Sequence, residues 1–135
     1  MPSKKRKLGD LGEGYAEMFL VKHGFSIIAR NYTRNTGEID IVAEKGRTIH
    51  FIEVKSVSRV TNSENLSAIS GFYKGHVPEE NVDNRKIRKI EKTSQLFLSE
   101  RGLQNSFFQI DVVTVVFVDG ANYPIINYIP NANLG

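Results

Sequence analysis

Residues 37–55, GEIDIVAEKGRTIHFIEVK, set two apolar runs around a glycine-containing turn, the signature of a β-hairpin. A hairpin dictates which side chains share a face, because side chains along a strand alternate with a period of two. With Glu44-Lys45-Gly46-Arg47 as the turn, Ala43 falls across from Thr48, Val42 from Ile49, Asp40 from Phe51 and Glu38 from Glu53. Glu38, Asp40, Glu53 and Lys55 then project from one side of the sheet, with Asp40 diagonal to Glu53 at roughly 7–8 Å between backbones. Three carboxylates and one ammonium on a half-buried face need a cation, protonation or solvent. Oxygen donors of this kind suit Mg²⁺, or Mn²⁺ in its place. The plain alternative is a set of solvated charges in which Lys55 merely pairs with Glu53. An E-x-K triplet is too common to decide the matter; the convergence of Asp40 on the same face favours a site.

The 135 residues, 40% hydrophobic and 24% charged, fit one globular domain of modest core. Residues 1–7 read as a basic flexible arm and 8–135 as the domain. No apolar run reaches membrane-spanning length, and the start, MPSKKRKLGDLGE, lacks the apolar segment of a signal peptide. A cytoplasmic protein with no membrane partner is expected. The absence of cysteine excludes disulfides and thiolate sites, and His23, His50 and His76 lack a helical ligand spacing, which argues against zinc. A net charge of +3 with a pI near 9.2 permits a polyanionic partner.

Along the chain, Leu8, Leu11, Tyr15, Met18, Phe19 and Lys22 recur at helical spacing before Gly24, predicting an amphipathic helix over 8–23 with Glu13 and Glu17 opposite the apolar stripe. FSIIARNY, 25–32, reads as a strand. The polar stretch of about 25 residues after Val57 is longer than an ordinary connection. Asp83 is the expected N-cap of a second helix over 84–101, whose core stripe is Ile87, Ile90, Ser94, Phe97 and Leu98 and whose other face gathers Arg85, Arg88, Lys89 and Lys92. Cations in the first turns oppose the helix dipole by roughly 0.3–1 kcal/mol each, so a phosphate-binding role competes with a simple solvated face. NSFFQIDVVTVVFVDGANYPIINYI closes the chain as a buried strand, a turn and a further strand, with Asp111 expected to be a buried acid held by a structural hydrogen bond. The order helix, three strands, helix, one or two strands predicts a mixed α/β sheet flanked by helices.

That αβββαβ order, with D-x12-E-x-K across a hairpin, resembles the PD-(D/E)xK nuclease superfamily and its restriction-endonuclease-like fold. LGDLGEGYAEMFL, HGFSIIARNY, GEIDIVAEKGRTIHFIEVKS, NRKIRKIEKTSQLFL and QIDVVTVVF, in that order, resemble the YraN-like family of small bacterial proteins regarded as endonucleases. The resemblance spans about residues 8–118. It implies that Asp40 and Glu53 ligate a divalent metal, joined by the Val54 carbonyl and by Glu13 directly or through water. It further implies that Lys55 orients or activates the attacking water, that Glu38 is a supporting acid, and that Lys86 lies near the scissile phosphate. Ile39 stands where the superfamily's name has proline, Gln109 where the family usually has arginine, and Ser56-Val57 where a basic residue is common.

The expected function is therefore an Mg²⁺-dependent endonuclease acting on DNA, selecting structure over sequence, since no helix-turn-helix or aromatic stacking platform is apparent. Arg85, Lys86, Arg88, Lys89 and Lys92 are the expected nucleic-acid contacts. A non-catalytic nucleic-acid-binding module on the same fold is the alternative, and a protein-interaction subunit a third. The pattern leaves a homodimer open.

Overall fold

The structure, a computed structural model, describes residues 4–59 and 84–132. In chain order its elements are α1 (Lys4–Lys22), β1 (Ser26–Arg34), β2 (Gly37–Lys45), β3 (Thr48–Arg59), α2 (Asn84–Glu100), β4 (Phe107–Val118) and β5 (Ile125–Ile129). The strands form one mixed sheet in the order β1-β2-β3-β4-β5, antiparallel except for the parallel β3–β4 pair. This is a small single-domain α/β arrangement compatible with a restriction-endonuclease-like fold. Helix α1 begins at Lys4, earlier than the apolar periodicity places it, so residues 4–7 of the basic stretch are helical. The expected N-cap Asp83, and the long connection beyond Arg59, lie outside the described residues.

The hairpin forms, but in a different register. Lys45 pairs with Thr48, Glu44 with Ile49, Ala43 with His50, Val42 with Phe51 and Ile41 with Ile52. The central turn residues are thus Gly46 and Arg47, with Gly46 at φ +62°, rather than Lys45 and Gly46. Glycine at the first central position is what a type II′ turn requires, and that turn matches the twist of the flanking strands. Each partner moves by two residues relative to the expected pairing. A shift of two leaves every side chain on its expected face, whereas a shift of one would have inverted them all. Asp40 does not lie across from Phe51; continuing the ladder one step sets it against Glu53.

Helix α1 packs on one face of the sheet, where Ala16 and Leu20 meet Ile41, Ala43, Ile52, Val113 and Val115. Its expected stripe is rotated. Of its members Leu11 and Met18 are exposed and Tyr15 and Phe19 pack against the core, while Gly12, Ala16 and Leu20, spaced by four, turn fully inward. The reason is steric: a Cβ on Gly12 would overlap Ser56 Oγ and sit 2.9 Å from Ser56 Cβ. A helix this close to a strand selects small residues, which a search for large apolar side chains passes over.

Helix α2 covers the other face. Ile87, Ile90, Ser94, Phe97 and Leu98 are buried as expected, with Thr93 added, and Ile90, Phe97 and Leu98 pack on Val42, Ile49, Phe51 and Ile110. Thr93 Oγ1 donates to Lys89 O at 2.8 Å and meets Thr36 Oγ1 at 2.7 Å, tying the helix to the entrance of β2. Beside that contact Gly37, at φ +148°, has Thr93 Oγ1 3.3 Å and Lys89 Cβ 3.5 Å from where a Cβ would stand. The helix therefore runs close over the start of the acid-bearing strand.

Asp111 has the structural role expected of it. Its Oδ2 accepts from Tyr128 Oη at 2.6 Å and lies 2.6 Å from His50 Nδ1, and its Oδ1 accepts from Gln109 Nε2 at 2.8 Å and Asn131 N–H at 3.0 Å. A fully buried carboxylate with this many partners fastens β3, β4, β5 and the segment after β5 together. Burial first, then the bond to Asp111, pushes the Tyr128 hydroxyl above the ordinary tyrosine value, so it stays a donor.

Candidate metal and phosphate site

The sheet places its acids where β2 and β3 separate. The ladder ends at Ile41–Ile52, and just beyond it Asp40 Oδ2 accepts a 2.8 Å hydrogen bond from Val54 N–H. Glu38, Asp40 and Glu53 line a cleft of about 440 Å³, whose other wall is α2 through Arg85, Lys86, Lys89 and Ile90. Lys55 stands against that wall, in contact with Lys86 and 3.9 Å from Glu53 Oε1. The four residues drawn to one face by period-two alternation thus converge, and the packing of α2 turns their face into a cleft.

The electrostatics are those of two acids forced together. Burial first, and then Glu53, raises the Asp40 carboxyl from its ordinary 3.8 to about 7; Glu13 and Glu38 add to this, while the Val54 N–H opposes it. Burial first, then the neighbouring Lys86, holds the Lys55 ammonium below the ordinary lysine value. Burial also works against the Lys86 charge, but its bond to Glu53, its contact with Lys55, and the charges of Glu53 and Asp40 outweigh it and hold Lys86 above the ordinary value. Lys86 Nζ lies 2.5 Å from Glu53 Oε1, a charge-assisted contact at the floor of the cleft.

A carboxyl raised in the folded state makes the native protein bind more protons than the unfolded chain. The stabilisation is full below about 3.8 and lost as pH rises through about 7. Between pH 5 and 8 in chelator, urea unfolding of the wild type should lose about 2–3 kcal/mol more than that of Asp40→Asn, which cannot ionise there. Parallel pH profiles for the two proteins would show that Asp40 ionises without strain.

Glu13 is not the solvated acid its helical pattern suggests. The rotation of α1 puts it at the inner edge, its side chain 15% exposed, with Oε1 3.4 Å from Arg30 Nη2. Burial first raises its carboxyl, and Arg30 opposes that rise. It is not among the residues lining the cleft, although its charge reaches Asp40. Asn31 connects the two regions: with its amide turned to donate, Nδ2 reaches Glu13 Oε1 at 3.1 Å and Glu38 Oε1 at 3.2 Å. Asn31 adopts φ +52°, a left-handed conformation that asparagine accepts more readily than most residues. Arg30 and Asn31 carry no local sequence signal, because their partners Glu13, Glu17 and Glu38 lie on other elements.

The basic residues of α2 divide. Arg85, Lys86 and Lys89 line the cleft, while Arg88 and Lys92 are exposed and do not. One helical turn separates Arg85 and Lys86 from Lys89, which stacks them on the edge facing the acids. Arg88 Nε instead donates to Asn84 O at 3.3 Å.

Among the described residues no group of three or more His, Cys, Asp or Glu side chains is disposed to hold a metal ion, and no helix is long and apolar enough to cross a membrane. The acids that come together are two, Asp40 and Glu53, with Glu38 alongside.

Comparison with known sequences places this geometry in a family. The Uncharacterised protein family UPF0102 matches residues 12–115, a span that begins at the glycine packed on Ser56 and includes both walls of the cleft. A UPF0102 protein of Clostridium tetani is 34% identical over 117 residues, covering 87% of this chain and 85% of its own. One of Desulforapulum autotrophicum is 39% identical over 115 residues, 85% and 84% respectively, and one of Clostridium perfringens is 33% identical over 133 residues, 98% of each. Matching at this identity over nearly the whole of both chains, the chain belongs to the UPF0102 family, the YraN-like family that its motifs resemble.

Proposed function

We propose that the protein is a divalent-metal-dependent endonuclease that hydrolyses phosphodiester bonds in DNA, recognising backbone shape. The observation that carries this reading is one cleft with adjacent carboxylates, Asp40 and Glu53, on one wall and Arg85, Lys86 and Lys89 on the other. Acids alone would repel a phosphate, and cations alone would hold it without chemistry. Together they suit a phosphate and a metal ion side by side.

The donor set fits Mg²⁺ or Mn²⁺. Two hard oxygen ligands are buried together at a cost that a cation would relieve, as the raised Asp40 carboxyl reflects, and a cationic group already lies on Glu53. Mg²⁺ commonly takes one or two carboxylates and keeps several waters, so a set of two acids suffices. Asp40 and Glu53 would hold the ion, with the Val54 carbonyl; Glu13, engaged by Arg30, would act through water. When bound, the ion supplies electrophilic polarisation of the phosphate and lowers the pKa of water. Lys55, with its lowered proton affinity, orients the attacking water and accepts or shares its proton. Arg85 and Lys89 hold the backbone phosphates, and Val54 N–H fixes the Asp40 carboxylate. A cytoplasmic location belongs to the same reading.

The second reading, a binding module without turnover, is favoured by the ion pair that engages Glu53. One panel decides between them: branched, nicked and linear DNA, assayed for cleavage in Mg²⁺ and Mn²⁺ and for binding in Ca²⁺. Cleavage abolished by chelator is the expected result. In the binding arm, Arg85→Ala with Lys89→Ala should flatten the logarithmic salt dependence by about 2, one counterion per lost phosphate contact, and Arg88→Ala with Lys92→Ala by less. Binding without cleavage of any substrate in either metal would leave the module reading in its place.

A further inference from the structure

The wall of cations is not uniform. Lys86 reaches across the cleft onto Glu53, at 2.5 Å from Oε1, and also touches Lys55. Glu53 is an acid that the metal-binding reading needs; its side chain is only 10% exposed and its Oε1 already faces Lys86 at 2.5 Å and, more loosely, Lys55 at 3.9 Å, so a divalent ion has little room there while Lys86 stays. Lys86, at 37% exposed, sits on a surface turn of α2 and has solvent to move into.

We infer that Lys86 is an exchangeable internal cation: its ammonium occupies the Glu53 oxygen when the divalent ion is absent, and leaves it for a phosphate of the nucleic acid when the ion binds. The inference rests on the metal-dependent reading above and deepens it by assigning this lysine two alternative partners.

The geometry makes the exchange self-consistent. Like charges held at one carboxylate repel, so an incoming ion on Glu53 drives the ammonium away. The space that receives it is the cleft shared with Arg85 and Lys89, where a phosphate would be held. A phosphate that draws Lys86 off Glu53 in turn frees that oxygen for the ion. Metal and DNA must then strengthen each other's binding by the same factor, since coupling between two sites is reciprocal. Without DNA, the intrinsic metal affinity is reduced by the fraction of molecules in which Lys86 blocks Glu53.

The test is a titration of the full chain with Mn²⁺, followed by the paramagnetic signal of the free ion, with no nucleic acid present. Lys86→Met removes the competitor and should bind Mn²⁺ at least about tenfold more tightly than wild type. Arg85→Met removes a cation from the same wall that does not bridge to Glu53, and should change the affinity by less than about threefold. Because Lys86 lies at the surface, its replacement leaves the core intact; Lys86→Gln, which keeps a polar side chain, should repeat the result. In chelator the Lys86→Met protein should melt below the wild type, and saturating Mn²⁺ should recover the difference. Measurable Mn²⁺ binding with equal or weaker affinity in both Lys86 variants overturns the exchange and leaves the metal-dependent reading standing. Equal tightening by Arg85→Met and Lys86→Met also overturns it, because the effect would then be general charge removal. Failure of wild type and both Lys86 variants to bind Mn²⁺ overturns the exchange and the metal-dependent reading together.

Discussion

Lys55→Ala is expected to lose at least about a hundredfold in Mg²⁺-dependent cleavage while its DNA affinity, measured in Ca²⁺, stays within about threefold of wild type. The separation follows from where the ammonium sits. Lys55 is largely enclosed, 3.9 Å from Glu53 and beside Lys86, so the phosphates of a bound backbone see little of its charge from a distance. Charge that develops at the reacting phosphate is close by and poorly solvated, which is where a fixed neighbouring group matters most. A loss of about a hundredfold is roughly 2.7 kcal/mol of transition-state stabilisation, the usual scale for one preorganised contact. Lys55→Arg keeps a charge but has no accessible neutral form, so it should bind DNA like wild type and recover little cleavage if Lys55 handles the proton of the attacking water. Equal rates for Lys55→Ala and wild type would remove Lys55 from the chemistry. A parallel fall in affinity and rate would make it a binding residue.

Gly12→Val should destabilise the protein by about 3 kcal/mol, which for a chain of this size lowers the melting temperature by about 10 °C. Two effects oppose each other at this position. Replacing a mid-helix glycine gains roughly 0.5–1 kcal/mol in helix propensity for alanine, and less for a β-branched residue. Against this, even the first added carbon overlaps Ser56 Oγ and stands 2.9 Å from Ser56 Cβ, and forced packing of that kind typically costs about 1–3 kcal/mol. Alanine should therefore be milder, with rotation of the serine hydroxyl absorbing part of the overlap. Valine adds two methyl groups with one preferred rotamer and no such escape. Thermal melts of wild type, Gly12→Ala and Gly12→Val should fall in that order. The displacement should also carry Glu13, the next residue, away from Arg30 and Asn31, so the Arg30→Ala and Gly12→Val effects should be less than additive. A valine variant as stable as wild type would mean that α1 can lift off β3 without loss.

The core face of α2 was legible because Ile87, Ile90, Phe97 and Leu98 are large and are buried against an equally apolar sheet. The same logic reads α1 only in part. Tyr15 and Phe19 of the expected stripe pack against the core, but Leu11 and Met18 are exposed, and the innermost face is marked by Gly12 and Ala16, residues that periodicity weights hardly at all. That error carried over to Glu13, judged a surface acid by its helical position and found at the inner edge of the helix. Asn31 and Arg30 escaped notice for a different reason: nothing local distinguishes them, and their partners are 7 to 18 residues away on other elements.

By itself the sequence determined the order of elements and the face on which Glu38, Asp40, Glu53 and Lys55 lie. Both depend on local periodicity, and a strand's alternation of faces is unchanged by a register shift of two. It did not determine who stands across from Asp40, because that depends on which two residues make the turn, a choice made by Gly46 at positive φ together with the twist of the strands. Nor could it determine that Lys86, rather than its basic neighbours, would rest on Glu53, or that Arg88 and Lys92 would turn away from the cleft. Those outcomes were decided by the seating of α2 against Gly37 and Thr36, a close contact between segments more than fifty residues apart. Periodicity assigns a residue to a face; only the packing of one element on another decides what that face meets.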